Sequence, residues 1–398
     1  MKIHGTGCGI VDCIYINEDF ASAPYQAALS KKRGDGGLGL GKLVFSDALE
    51  AFAKKPYDEV LGELTGARQP DVMNLGGPSL VALIHAAQSL AVLNTGTKET
   101  YQVRYFGVRG NDAAADFFEK KLSLLPLKTT ILSKAVPNSR TDALSDPRWE
   151  NGAGERSFVY RKGASDVFTI DDLGDDFFNA DLVVFGGTAL TRQIHVRLTD
   201  LLKRAKQNAV TMVNLVFDFA GEAAANGKKW KLGAHDDAYQ YIDLLVADHE
   251  EAVKTSGKAG SEKAAEWFLS QGCGAVVITR GKEPVVFASG PRSCFKKADL
   301  SYLPACELVN QELAEDPKRR GDTTGCGDNF AGQLISMLAQ ALEAKTGPIS
   351  LRDLVPAAIA AGGFACFYTG GVYYEKQRGE KSALLQKYIN AYCKQIGE

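Results

Sequence analysis

The chain has 398 residues, of which 45% are hydrophobic, and a formal net charge of −2 at pH 7. That length makes one large domain or two ordinary ones, with ample apolar material for a packed core. The near-neutral balance offers no basic field to draw the chain to nucleic acid or anionic lipid, and no apolar run of about eighteen residues suggests a membrane span.

The opening Met1-Lys2-Ile3-His4-Gly5-Thr6-Gly7 lacks the apolar stretch of a signal peptide. The eight cysteines are scattered, with no C-x-x-C pair and no His partner at metal spacing. Free thiols in a reducing cytoplasm are therefore expected. In chain order, Ile10 to Ile16 alternates as a short strand, and residues 20–71 carry glycine and charge without a long apolar period. Two glycine patterns fall inside that stretch. Gly34, Gly36 and Gly39 satisfy G-x-G-x-x-G, but Ser30-Lys31-Lys32 before them is no buried strand, which a dinucleotide site needs. Gly36 to Lys42 satisfies G-x-x-x-x-G-K, but the next residue is Leu43, which has no hydroxyl for Mg²⁺. A surface loop or lid segment is the preferred reading of both.

Gly76-Gly77-Pro78 opens a helix that carries Leu80, Leu83, Ile84, Ala87 and Leu90 at helical spacing. Residues 101–108 and 156–161 read as strands. From about residue 180, apolar runs at 182–185, 210–217, 244–246 and 275–278 alternate with helical patterns, the first of them at 191–207. That alternation predicts a parallel sheet covered on both faces, with ligands at the carboxyl ends of its strands.

The segment Gly321-Asp322-Thr323-Thr324-Gly325-Cys326-Gly327-Asp328 leads into Leu334, Ile335, Leu338 and Leu342 at helical spacing. A helix is predicted to begin between Gly325 and Asp328. Small residues there leave backbone N–H groups open to an anion, and the carboxylate of Asp328 can take a proton from an attacking hydroxyl. The plain alternative is an ordinary helix capped by Asp322 or Thr324. Asp248 and Glu251, one turn apart, are suited to a hard cation on one helix face. Asp12 at a strand end suits hydroxyl ligands.

The stretch at 322–328 resembles the signature of the ribokinase-like (PfkB) carbohydrate kinases. The resemblance extends in order through Gly5–Asp12, Gly76-Gly77, Gly107–Asp112, Ala247–Ala252, Thr279-Arg280-Gly281 and Ala357–Gly371. It implies an α/β three-layer sandwich, with a mostly parallel central sheet and a small β-rich lid. The whole chain, 1–398, is expected to form one such domain, with the lid at about 13–71 and about 135–165. It further implies transfer of the γ-phosphoryl group of ATP to a small-molecule hydroxyl. Asp328 is then the base and Gly325, Cys326 and Gly327 the anion-holding turn. Asp12, Gly76 and Gly77 contact substrate. Thr279, Gly281, Asp322 and Thr324 lie by the nucleotide, and Asp248 and Glu251 help hold Mg²⁺. Tyr160 and Arg161 resemble a segment of fructokinase and 2-keto-3-deoxygluconate kinase that reaches the sugar. A sugar or sugar acid is therefore expected ahead of a nucleoside, for which Phe20, Tyr25, Phe45 and Phe52 offer aromatic faces. A non-catalytic sugar-binding relative is the other alternative. A cytoplasmic enzyme, and a homodimer through the lid, complete the expectation. The sequence departs from the family at Asp248 (usually Asn), at Val81 (often Asn), in the long 13–71 segment and in a polar insertion at 307–320.

Overall fold

The structure is a computed structural model. It describes residues 1–397 apart from 33, 95–98, 153, 226, 227 and 292, and gives only the backbone of 151, 152 and 225. The described strands, in chain order, are β1 (Lys2–Gly7), β2 (Ile10–Ile16), β3 (Leu43–Phe45), β4 (Val72–Gly76), β5 (Gln102–Arg109), β6 (Lys128–Ser133), β7 (Arg140–Asp146), β8 (Glu155–Arg161), β9 (Leu182–Gly186), β10 (Val210–Asn214), β11 (Leu244–Asp248), β12 (Ala275–Arg280), β13 (Glu283–Ser289) and β14 (Ala298–Leu303).

They form two sheets. The large one runs β14-β13-β12-β11-β10-β9-β1-β5-β6. It is parallel from β12 to β6, and the β13–β14 hairpin adds an antiparallel edge. Successive side chains of a strand point to opposite faces, and here both faces are buried. Val184, Met212, Val246 and Val277 pack with the helices Pro78–Ala91, Cys326–Ala344 and Leu351–Phe364. Val183, Phe185, Leu245 and Val276 pack with the helices Leu198–Ala205 and Ser261–Ser270. Three layers result, as the α/β sandwich expectation requires. No described helix is long and apolar enough to cross a membrane.

The small sheet runs β3-β8-β7-β2-β4. Its two faces have different neighbours. Val11, Cys13, Tyr15 and Val159 pack against Leu49, Tyr57, Val60 and Leu61 of the helices Ser46–Ala53 and Tyr57–Thr65. Cys8, Ile10 and Tyr160 cluster on the other side with Leu43, Phe45 and Leu190. That second face looks toward the large sheet.

Several elements differ from expectation. Gly5–Asp12 is not one strand. It covers the end of β1 in the large sheet and the start of β2 in the small one, so Asp12 lies inside β2 rather than at a strand's end. Residues 13–71 hold three helices, Ala23–Ala28, Ser46–Ala53 and Tyr57–Thr65, each too short to display a sustained helical period. Among the described residues no strand runs directly into Gly34, consistent with the loop reading. The 191–207 helix is interrupted at Arg197, and the strand expected to reach Phe217 ends at Asn214. The polar insertion forms a helix, Glu307–Glu315, followed by a turn at Pro317–Arg319. It is pinned to the helix Glu380–Gln395 by Glu312, which accepts from Lys387 and, at 2.7 Å, from the Tyr388 hydroxyl.

The helices Cys326–Ala344 and Pro78–Ala91 cross at Gly332, where a Cβ would lie 2.5 Å from the Ala82 carbonyl oxygen and 2.6 Å from the His85 Cβ. Gly332→Ala is expected to cost about 1–3 kcal/mol through overpacking. Gly62, inside a helix with no atom near its missing Cβ, gives the opposite sign: Gly62→Ala is expected to stabilise by about 0.5–1 kcal/mol. Urea unfolding of the two variants checks both, and equal shifts in one direction would contradict the packing at Gly332.

Candidate active site

The chain enters the turn at 322–328 clamped to the segment 366–370. Gly321 N–H donates to the Cys366 carbonyl at 2.9 Å and Asp322 N–H to that of Tyr368 at 3.3 Å. Asp322 Oδ1 accepts from the amides of Thr324 (2.9 Å) and Gly370 (3.3 Å). Gly325 then takes a left-handed φ of 78°, and a Cβ there would meet the Gly371 Cα at 2.5 Å. Both demands select glycine. Gly325 itself is the residue before the helix, so no side chain caps its first turn. The alternative of Asp322 or Thr324 as the cap is thus not what forms. Among the described residues the amides of Gly325, Gly327 and Asp328 have no acceptor, and Gly327 borders open space. First-turn amides normally find a cap or water; here these three are left open.

One buried residue holds this turn from behind. Asn329 donates through Nδ2 to the carbonyls of Gly325 (2.8 Å) and Gly371 (2.9 Å). Its Oδ1 accepts from the Tyr368 hydroxyl (3.0 Å) and Lys381 Nζ (2.8 Å), and meets His85 Nδ1 at 2.8 Å. Lys381 also reaches Gln88 Oε1 at 3.2 Å. Burial pushes the Lys381 ammonium down to about 7 and the His85 ring down to about 3. Of these partners, His85, Gln88 and Lys381 carry no sequence motif, and Asn329 simply follows Asp328.

In front of the turn stands Asp12. In the sheet register it lies between Asn74 of β4 and Thr141 of β7. A Cβ on Gly76 would sit 2.2 Å from Asp12 Oδ2, and one on Gly77, whose φ is 100°, 2.2 Å from the Cys8 carbonyl oxygen. Burial, then the charges of Asp328 and Asp322, raise the Asp12 carboxyl to about 7. Asp328 is raised to about 7 by burial. The structure therefore brings Asp12, Gly76, Gly77, Asp322, Thr324 and the Gly325–Asp328 turn into one crevice.

Asp248 ends β11 opposite Thr279 of β12, and Gly281 turns the chain just after it. Asp248 and Glu251 do not simply share a helix face. They form a reciprocal cap: Asp248 Oδ1 accepts from the Glu251 amide and Glu251 Oε2 from the Asp248 amide, each at 2.8 Å. Burial, then the Asp248 charge, raises Glu251 to about 8, with Asp328 contributing. Each carboxylate keeps one oxygen unused by the cap. No group of three or more His, Cys, Asp or Glu among the described residues closes around a point that could hold a metal. Two oxygen donors carrying excess negative charge fit a hard cation that keeps most of its water and shares phosphate ligands.

Arg161 of β8 is placed differently from expectation. Arg161 lies on the helix-covered face of β8. It pairs with Asp142 (3.0 Å) and Asp58 (2.7 Å), and its guanidinium sits 4.3 Å from the Tyr57 ring centroid. It points away from the crevice because strand side chains alternate. Arg156, on the opposite face, crosses to the turn instead, donating to the hydroxyls of Thr324 (2.8 Å) and Thr323. Phe20 and Tyr25 are stacked in the core, whereas Phe45 lies beside Tyr160 and Phe219 on the crevice side.

The Lys381 value near 7 lies below the roughly 10.4 of a free lysine. Between these values the unfolded chain binds the extra proton, so this group's contribution to stability rises with pH across that window. Relative to Lys381→Met, wild type is expected to gain about 1–3 kcal/mol between pH 7 and 9. Urea unfolding at both pH values measures it; parallel pH profiles would contradict the buried position of the ammonium.

The pfkB family carbohydrate kinase profile matches residues 84–377. The ribokinase of Staphylococcus aureus (strain COL) is 24% identical over 240 residues, which span 58% of this chain and 66% of that protein. Among solved structures, adenosine kinase from Schistosoma mansoni in complex with 2-fluoroadenosine has a TM-score of 0.69 at 16% identity, covering 96% of this chain and 98% of that one. Ribokinase from Thermotoga maritima has a TM-score of 0.60 at 18% identity, covering 96% and 99%. The fold is thus shared with ribokinase and adenosine kinase. The match of the profile to most of the sequence, over this sandwich and this turn, places the chain in the pfkB family of carbohydrate kinases, whose members transfer phosphoryl groups to hydroxyl acceptors.

Proposed function

We propose that the chain transfers the γ-phosphoryl group of ATP to a hydroxyl of a sugar or sugar acid, with Asp328 as general base. The observation that carries this reading is the uncapped turn: amides of Gly325, Gly327 and Asp328 without acceptors, beside a carboxylate raised to about 7 by burial. Such a carboxylate is near its ideal pKa for taking a proton at neutral pH. The amides stabilise charge on the moving group where it develops.

Asp12 and the backbone at Gly76 and Gly77 orient the acceptor. The nucleotide lies along the carboxyl ends of β11 and β12, by Thr279 and Gly281, as open α/β sheets place their ligands. Asp322 shapes the turn through the amides of Thr324 and Gly370. Mg²⁺ would be held by Asp248 and Glu251, partly through water, and supplies neutralisation of phosphate charge. Asp328 receives the hydroxyl proton on its carboxylate as the oxygen attacks in line.

The whole chain acts as one catalytic unit in this reading, with residues of about 13–71 and about 135–165 as its lid, closing to exclude water. Arg156, bridging β8 to Thr323 and Thr324, supports that assignment, and it replaces Arg161 as the lid cation at the site. The outer face of the lid sheet is covered by the chain's own helices, so a homodimer through the lid would meet those helices rather than bare strands. A cytoplasmic location is consistent with the free thiols.

A nucleoside acceptor is the second reading, favoured by the aromatic surface of Phe45, Tyr160 and Phe219 on the crevice side of the lid. ATP consumption measured over a panel of sugars, sugar acids and nucleosides separates the two. Binding without turnover across the panel would point to a non-catalytic relative.

With the accepted substrate, Asp328→Asn is expected to bind ATP but to lose roughly 10²–10⁴-fold in kcat. In wild type kcat should rise with pH through about 7, because the base works only when deprotonated. Near-wild-type turnover in Asp328→Asn, or a rate that falls across that range, would sink the assignment.

A further inference from the structure

Cys326 stands in the middle of the uncapped turn, and Cys366 in the segment that clamps the turn's entry. Forty positions apart in sequence, their sulfurs lie 3.5 Å from each other, both only partly buried. A disulfide needs the sulfurs at about 2.0 Å, so the pair is one small displacement from a bond. The remaining cysteines have no thiol partner among the described residues, and Cys8, Cys13, Cys273 and Cys306 are buried.

The two members differ in chemistry. A hydrogen bond joins the two thiols, and this contact, with the nearby Arg320 charge, holds the Cys366 thiol below its ordinary range. The same contact and burial push Cys326 up. Thiolate character and access decide which cysteine reacts; either sulfur of the pair can attack, and the Arg320 charge near Cys366 favours that one.

We propose that Cys326 and Cys366 are a dithiol–disulfide modification site, oxidised by a hydroperoxide, and that closing the bond displaces the Gly325–Asp328 amides. In the first step the Cys366 thiolate attacks a peroxide oxygen, the O–O bond breaks, and a sulfenic acid and hydroxide form. In the second, the Cys326 sulfur attacks the sulfenic sulfur, and water leaves with the Cys326 proton. In sum, two thiols and one hydrogen peroxide give one disulfide and two waters. Closing the bond draws Cys326 toward Cys366 at a closely packed helix start: a Cβ on Gly325 would meet the Gly371 Cα at 2.5 Å, and one on Gly362 would lie 3.2 Å from the Cys326 carbonyl oxygen. A shift of Cys326 carries the neighbouring amides of Gly325 and Gly327 with it. A dithiol reductant reverses the change.

The loss of phosphoryl transfer that follows rests on the kinase reading; the bond and the displacement do not. The test treats the full chain with one equivalent of hydrogen peroxide, blocks free thiols with iodoacetamide, and maps peptides without reduction. Amide hydrogen exchange across residues 321–329 is measured in parallel. The expected result is a Cys326–Cys366 cross-linked peptide as the first oxidised species, with altered exchange over 321–329, both restored by dithiothreitol. Turnover should fall at least tenfold in step with the cross-link, while Cys366→Ser keeps turnover and is insensitive to the same dose. Oxidation of another cysteine first, a cross-link with unchanged exchange, or a cross-link with unchanged turnover overturns the proposal. Absence of turnover in the reduced protein would instead count against the kinase reading, and cross-link and exchange would still decide this one.

Discussion

The site depends on one constraint: a buried helix must begin without a side-chain cap. Gly325, in a left-handed conformation against Gly371, makes that start. A serine or aspartate at this position would bond the first-turn amides and fill the place an anion needs. The missing cap costs stability at the helix start, and the structure offsets it from behind. Asn329 ties Gly325 to Gly371, and is itself held by Tyr368 and Lys381. A half-satisfied buried amide would be worse than none. This one has partners on both its nitrogen and its oxygen, from three separate segments. The turn is therefore held on its inner side and bare on its outer side.

The charge balance of the crevice follows from the same burial. Asp12, Asp322, Asp328, Asp248 and Glu251 are all raised above ordinary carboxylate values. Burial is the leading cause for each, and neighbouring negative charge adds to it at Asp12 and Glu251. Such a cluster favours protons or cations, and a substrate bringing phosphates must bring cations too. Arg156 is the guanidinium that β8 sets against this field, through the threonine hydroxyls of the turn.

Much of this was legible in the amino-acid order. The run from Gly321 to Asp328 followed by apolar residues at helical spacing located the helix start, and the alternation after residue 180 announced a parallel sheet. What was not legible has physical reasons. Arg156 and Arg161 look equivalent along a strand, because both faces of the lid sheet are covered and neither declares itself by polarity. Only the helices at 46–65 decide that Arg161 turns away. Those helices are themselves too short to show a period. The support behind the turn joins His85, Asn329 and Lys381, which lie 244 and 52 positions apart and belong to no local pattern. The cap formed by Asp248 and Glu251 was within reach, since an acid followed three residues later by Glu is a helix-start signature.

The central claim is that the amides of Gly325, Gly327 and Asp328 receive the transferring phosphoryl group. The most direct measurement uses protein labelled with ¹⁵N at glycine and aspartate, titrated with Mg²⁺, ADP and aluminium fluoride as a stand-in for that group. The account predicts downfield shifts at Gly325, Gly327 and Asp328 that exceed those of the nucleotide-side Gly281. Nucleotide-side shifts with the three turn amides unmoved would contradict it.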